Sequence, residues 1–166
     1  MYDKLTKKDL ALMEAELEDR RLNIRPKIME EVKRTREFGD LSENYEYKAA
    51  KQAQRQNDSR MRYLQNMIKT AQVIEEKSGS GVKLYDKVTV FFPEDDETMV
   101  LQVVSTVRIE PDKGFISMES PLGKAILGRT VGETVTVAIS ESDSYPVRID
   151  EIEAASDDGT APLLPF

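Results

Sequence analysis

Gly39 is the only glycine in the first 78 residues, and it stands between two runs in which the less polar side chains recur every three or four positions. Upstream the stripe is Leu10, Met13 and Leu17, then Ile24, Ile28 and Val32. Downstream it is Ala50, Ala53, Asn57, Met61, Leu64, Ile68, Ala71 and Ile74. That spacing puts each set on one face of a helix. Two narrow stripes joined by a short turn bury themselves most simply against each other, so the pattern predicts an antiparallel coiled-coil hairpin over 1–78. A second helix over 44–75 would be roughly 45 Å long at 1.5 Å per residue, carrying the turn far from its base.

Local signals refine this outline. Thr6 followed three residues later by Asp9 predicts a helix start near Lys7, the Thr6 side chain accepting from a backbone N–H that has no partner within the helix. Pro26 has no N–H and crowds the preceding turn, which predicts a break or kink at 23–25 before helix resumes toward Glu37. Phe38-Gly39-Asp40 ends that run, with Asp40 or Ser42 available to cap the next.

Beyond residue 78 the period changes. Ser78-Gly79-Ser80-Gly81 has the composition of a flexible linker, placed at 79–82. Alternation at Val88, Val90 and Phe92, and again over 100–107, 115–118, 135–139 and 147–152, predicts strands of a small antiparallel sheet. Ser120-Pro121 and Gly128 bracket a short helix over 121–127, whose Leu122, Ala125, Ile126 and Leu127 would cover one sheet face. The expected class is therefore α+β, a helical hairpin followed by a globular domain over 83–153. Residues 154–166 mix Ala, Ser, Asp, Gly and Pro without period and are expected to form a mobile tail.

Composition limits the chemistry. Cysteine and histidine are both absent, which removes disulfides, thiol nucleophiles, imidazole bases and thiolate or imidazole metal sites. Carboxylates, amines and hydroxyls remain, and a metal bound by oxygen alone would ordinarily be Mg2+. The net charge of −7 hides an asymmetry: residues 1–78 hold 17 Lys/Arg against 15 Asp/Glu, the remainder 7 against 16. The two halves are thus expected to meet different partners. With no apolar run of membrane length and no apolar leader at the N-terminus, the expected location is cytoplasmic.

The turn itself, Gly39-Asp40-Leu41-Ser42-Glu43-Asn44, sets two carboxylates three residues apart at the hairpin's end. With Asp40 as cap and Glu43 in the first helical turn, their oxygens would converge into part of a shell for Mg2+. Spacing alone fits equally well an ordinary helix start, where acids are favoured by capping and by the helix dipole. Lys48, Lys51, Arg55 and Arg62 are spaced to share one helix face, and Arg36 approaches from the first helix. They form either a strip able to contact phosphates or a solvated face with local ion pairs.

The longer string Gly39-Asp40-Leu41-Ser42-Glu43-Asn44-Tyr45-Glu46-Tyr47-Lys48-Ala49-Ala50-Lys51 closely resembles the tip signature of the GreA/GreB family. Leu5-Thr6, Arg25-Pro26, Ser120-Pro121-Leu122-Gly123-Lys124-Ala125 and Val131-Gly132-Glu133-Thr134-Val135 resemble further segments of it in the same order, covering roughly 5–153. The resemblance implies a factor that enters the secondary channel of RNA polymerase when the enzyme has backtracked. The family's acids at the positions of Asp40 and Glu43 help hold a second Mg2+ and its water in the polymerase active site, promoting hydrolysis of extruded nascent RNA. Its second domain is FKBP-like and docks on the channel rim.

The same resemblance implies that the factor is not itself an enzyme, acts as a monomer, and presents a basic patch matching Arg36 and Lys51, flanked here by Lys48 and Arg55. Leu41, Ser42, Asn44 and Tyr47 are expected contacts of the tip, while Tyr45 stands where many relatives carry a small residue. Two other readings are weighed beside this one. A paralogue would occupy the channel and regulate or inhibit without cleavage, but it would not need the Asp40–Glu43 pair. A prolyl isomerase, suggested by an FKBP-like fold, lacks an evident deep aromatic pocket in a half without tryptophan.

Overall fold

The computed structural model describes residues 3–39, 43–75 and 79–165. Its elements are β1 (Lys4–Leu5), α1 (Lys7–Asp19), a π-turn (Arg20–Ile24), α2 (Arg25–Arg36), α3 (Tyr45–Thr70), β2 (Gln72–Val73), β3 (Lys87–Phe92), β4 (Glu97–Val104), a 3-10 turn (Pro111–Lys113), β5 (Phe115–Ser117), α4 (Pro121–Ile126), β6 (Thr134–Ala138) and β7 (Ser144–Glu153). They fall into two units, a helical one over Leu10–Ala71 and a sheet unit of Asp3–Asp9 with Gln72–Pro165. The class is α+β, as the change of period at residue 78 indicates.

In the helical unit, α1, the π-turn and α2 run as one continuous helical arm, and α3 returns antiparallel to it. Contacts between Glu16 and Arg60, Arg20 and Asn57, Arg25 and Asp58, and Arg34 and Glu46 show the direction. Pro26 does not break the arm. The irregularity lies just before it, where the Arg25 N–H donates to the Arg20 carbonyl five residues back. Widening the turn by one residue accommodates the missing proline donor without ending the helix. α3 stops at Thr70 rather than near residue 75, because Gln72–Val73 leaves the helix and pairs in parallel with Lys4–Leu5.

In the sheet unit the strand order is β5-β4-β3-β7-β6. Three neighbouring pairs are antiparallel, whereas β4 and β5 run parallel, so the sheet is mixed and not the purely antiparallel one expected. One face carries the main core of Val88, Val90, Leu101, Val103, Val135, Val137, Val147 and Ile149, closed by Ile126 of α4. Each such side chain, once fully buried, contributes about 1.5–3 kcal/mol. Ser120 caps α4 by accepting from the Gly123 N–H at 3.0 Å. A Cβ at Gly123 would lie 2.1 Å from the Ser117 carbonyl oxygen, so only glycine allows this approach.

Two expectations about the chain's ends change. Within residues 154–165, Ala161 is buried and joins Tyr85, Val104 and Phe115 in a second small cluster. Their anchor is Arg108, fully buried, which donates to Asp9, to both oxygens of Asp157 and to the Ala161 carbonyl. A buried guanidinium requires this many acceptors, and that requirement overrides the segment's loop-like composition. The N-terminal boundary shifts as well: residues 3–9 sort with the sheet unit. Val82, expected in a linker, is buried in the main core with its N–H donating to the Arg129 carbonyl.

Candidate hairpin-tip site

The last turn of α2 is fixed from within. Thr35 is fully buried, and its hydroxyl donates to the Glu31 and Val32 carbonyls at 2.8 and 3.2 Å. The chain then leaves the helix through Gly39, whose φ of +98° is accessible to glycine at little cost. Arg34 lies over the Phe38 ring, 5.1 Å from its centroid, and pairs with Glu31 on its own helix and with Glu46 on α3 at 3.5 Å. The Arg34 hydrogen bonds hold the exposed Glu31 carboxyl below its usual range.

α3 starts one residue later than the sequence suggested. Its cap is Asn44, in extended conformation, whose Oδ1 accepts from the Tyr47 N–H at 3.0 Å. Glu43 therefore precedes the cap and is exposed to solvent, not held in the first helical turn. Asparagine at this position satisfies one of the helix's four unpartnered N–H groups, and the cap expected of Asp40 or Ser42 is supplied by Asn44 instead. Asp40, Leu41 and Ser42 lie outside the described residues.

The Asn44 side chain also faces the other way. Its Nδ2 donates to the Thr35 carbonyl at 2.6 Å, and the same oxygen accepts from the Phe38 N–H at 3.2 Å. Thr35, Arg34 and this double use of Asn44 were not singled out from the sequence. A lone threonine among charged residues at the end of the first helical run was the available signal for Thr35.

Among the other expected residues, Tyr47 is half-buried, and Tyr45 is 80% exposed with the Lys48 ammonium over its ring. Lys48, Lys51, Arg55 and Arg62 all lie on α3, on the side opposite its buried Ala50, Asn57, Arg60 and Leu64. Lys51 donates to Gln54 at 2.9 Å and Arg62 to Ser59 at 3.2 Å. Arg36 is the last residue of α2; Arg36 and Arg55 are both exposed and make no ion pair with another described residue. Arg36, Lys48 and Arg55 thus face solvent, with Lys51 half-buried among them and Arg62 on the same face farther along α3.

Among the described residues no cluster of three or more Asp or Glu side chains could enclose a metal. Glu43 offers one exposed carboxylate, a donor suited to Mg2+ but far short of its six-oxygen shell. A tip of this kind can complete a metal shell supplied elsewhere. Among the described residues no helix is long and apolar enough to cross a membrane.

A long helical hairpin with exposed acid and basic groups around its turn, followed by a small mixed-sheet unit, defines the protein class. Residues 4–73 match the family model for the transcription elongation factor N-terminal domain, and 77–154 match that for the GreA/GreB C-terminal domain. Transcription elongation factor GreA of Oenococcus oeni is 37% identical over 153 residues, 91% of this chain and 94% of its own. That of Chloroherpeton thalassium is 37% identical over 84% of this chain and 90% of its own, and that of Geobacillus kaustophilus 41% identical over 80% and 85%. The crystal structure of GreA factor homolog 1 from Thermus thermophilus is 27% identical, covering 93% of this chain and all of that one, with a TM-score of 0.44. The chain belongs to the GreA/GreB family of transcription elongation factors.

Proposed function

We propose that this elongation factor binds RNA polymerase at its secondary channel and stimulates the polymerase's own cleavage of backtracked nascent RNA. The observation that carries the proposal is the exposed Glu43, held one residue before the Asn44 cap of α3 and three positions from Asp40 in the sequence. Carboxylates bind hard cations through oxygen, so a tip without histidine can still serve as an oxygen donor. Asp40 and Glu43 would contribute oxygens to Mg2+ held mainly by the polymerase. When bound there, the ion activates water and stabilises the leaving oxygen of a phosphodiester.

The remaining assignments follow from the same reading. Arg36, Lys48, Lys51 and Arg55 contact phosphates of the displaced RNA, and Leu41, Ser42 and Tyr47 contact the polymerase channel. The factor works as a cytoplasmic monomer and performs no hydrolysis by itself. The test mixes parent, Asp40→Asn or Glu43→Gln protein with stalled, backtracked complexes and Mg2+, and follows shortening of the RNA. Parent protein should produce RNA that resumes extension, and each variant should bind without shortening it. Equal shortening by parent and variants would overturn the assignment of the acids; binding of the parent without cleavage would point to a regulator of the polymerase instead.

A further inference from the structure

Asn44 uses both ends of its side chain to join the two arms of the hairpin. Its Oδ1 accepts from the Tyr47 N–H at 3.0 Å, which begins α3, and its Nδ2 donates to the Thr35 carbonyl at 2.6 Å, which ends α2. We propose that Asn44 is a positioning residue that staples α2 to α3 next to Glu43 and fixes the backbone from which Glu43 projects. The inference rests on the cleavage reading of the tip given above.

The orientation of the amide is settled by its partners. Turned over, Nδ2 would face the Tyr47 N–H and Oδ1 would face the Thr35 carbonyl, setting donor against donor and acceptor against acceptor. Few side chains fit both requirements. Asparagine carries a donor and an acceptor on a short stem; aspartate offers acceptors only, and serine is too short to keep both contacts.

The partner on α2 is firm. Thr35 is fully buried and its hydroxyl is bonded back into its own helix, so the carbonyl that receives Nδ2 does not drift. This carbonyl belongs to the last turn of α2, where intrahelical donors run out. Arg34 and Glu46 form a second, exposed tie between the same two turns. The arms are therefore joined by one half-buried staple and one surface ion pair, and Glu43 is bonded directly to the residue that makes the staple.

Positioning of this kind acts on chemistry more than on binding. A carboxylate delivered to a metal shell must arrive within a fraction of an ångström, and a small misplacement can cost about 100-fold in rate. The sheet unit and the flanks of the hairpin do not depend on the Asn44 amide, so polymerase affinity is expected to change little.

The test uses full-length parent, Asn44→Ser and Asn44→Asp. Both variants keep a cap for α3, while the first removes the staple and the second sets a carboxylate against the Thr35 oxygen. RNA shortening in backtracked complexes is measured against factor concentration. The maximal rate should fall at least ~10-fold for both, with the half-saturating concentration changed less than ~3-fold. Far-UV helicity should stay at the parent value.

In a Glu43→Gln background, Asn44→Ser should add no further loss, because the two residues act as one unit. In the free parent, the Asn44 side-chain amide protons should exchange slowly with solvent. Slow shortening that reflects only weaker half-saturation would make Asn44 a polymerase contact and overturn the proposal. So would an unchanged maximal rate in Asn44→Ser, or an Asn44 amide that exchanges freely. A parent without any cleavage defeats the functional reading as well as this inference, whereas an active parent with equally active variants defeats this inference alone.

Discussion

The Arg60 guanidinium grips Glu16 with two hydrogen bonds of 2.9 Å, Nε to Oε1 and Nη2 to Oε2, linking α3 to α1 across the hairpin. The same Oε1 accepts from Arg20 Nε at 2.8 Å, and Arg20 Nη1 donates to Asn57 Oδ1 at 3.0 Å. Four polar residues thus occupy the middle of an interface that a purely apolar stripe would leave free to slide. Bidentate pairing is satisfied at one axial offset only, which sets how far the tip of one arm stands from the tip of the other.

Replacing Arg60 with Leu should therefore be costly. Breaking a buried ion pair by removing one partner costs about 3–5 kcal/mol. Here the carboxylate keeps Arg20 and is about a quarter exposed, so the expected loss is about 2 kcal/mol. Denaturant unfolding followed by helix signal measures it. The double replacement Arg60→Leu with Glu16→Leu should recover part of the loss, showing that the stranded charge is the greater share of the penalty.

The pair also has a pH signature. Its hydrogen bonds from Arg60, opposed by burial and reinforced by Arg20, lower the Glu16 carboxyl below its ordinary value of 4.5. A carboxyl lowered in the folded state contributes stability that is complete above its unfolded value and is lost as pH falls through the folded one. Parent and Glu16→Gln should then differ by a constant margin from neutral pH down to about 5.5, and the margin should shrink below about 4.5. Melting both proteins across that range checks the sign. A gap that widens on acidification would show that the carboxyl is not stabilised by its partners.

How much of this was written visibly in the sequence depends on the kind of signal. The period-3.6 stripes located both arms of the hairpin, and Thr6 with Asp9 marked the helix start: each backbone N–H donates to the other's side-chain oxygen, at 2.9 and 3.1 Å. Arg60 escaped notice because a charged residue in a helix is ordinarily solvated, and nothing local reveals a carboxylate 44 positions away. The two-residue pair of β1 and β2 is too short to show alternation. At the tip, the Phe38-Gly39-Asp40 interruption located the turn, but the cap was expected at Asp40 or Ser42 where Asn44 supplies it, since Asp, Ser and Asn share the same cap chemistry. Only the position of Thr35 decides which of them can reach both arms.

Residues 154–165 supply the next prediction. Arg108 is lifted above the ordinary arginine value: burial opposes its charge, and the hydrogen bonds and charges of its partners, Asp157 foremost, more than compensate. Asp157→Ala would strand this guanidinium with Asp9 and the Ala161 carbonyl alone. The segment should then detach, and the cost should be about 3 kcal/mol, at the lower end for a broken buried pair because Asp9 remains. Amide exchange at Leu164, whose N–H donates to the Val107 carbonyl at 2.8 Å, should accelerate sharply. Protease nicking between 154 and 165 should appear in the variant and be absent in the parent.

The basic strip can be separated from polymerase binding by its dependence on salt and on distance. Each cation that contacts a phosphate of single-stranded RNA releases counterion, so its removal should flatten the log–log salt dependence of binding by about 0.7. Lys48→Ala and Arg55→Ala are expected to do so in complexes with extruded RNA and not in complexes that have none, where only protein surfaces meet. Lys51 should matter less, because its ammonium is already shared with Gln54. Arg62 provides the internal control: it lies on the same face of α3, about 21 Å along the helix from Lys48, and is bonded to Ser59. Arg62→Ala should leave the slope unchanged if the strip acts at the tip. Equal slopes for all four variants and the parent would instead assign these cations to solvation of the hairpin.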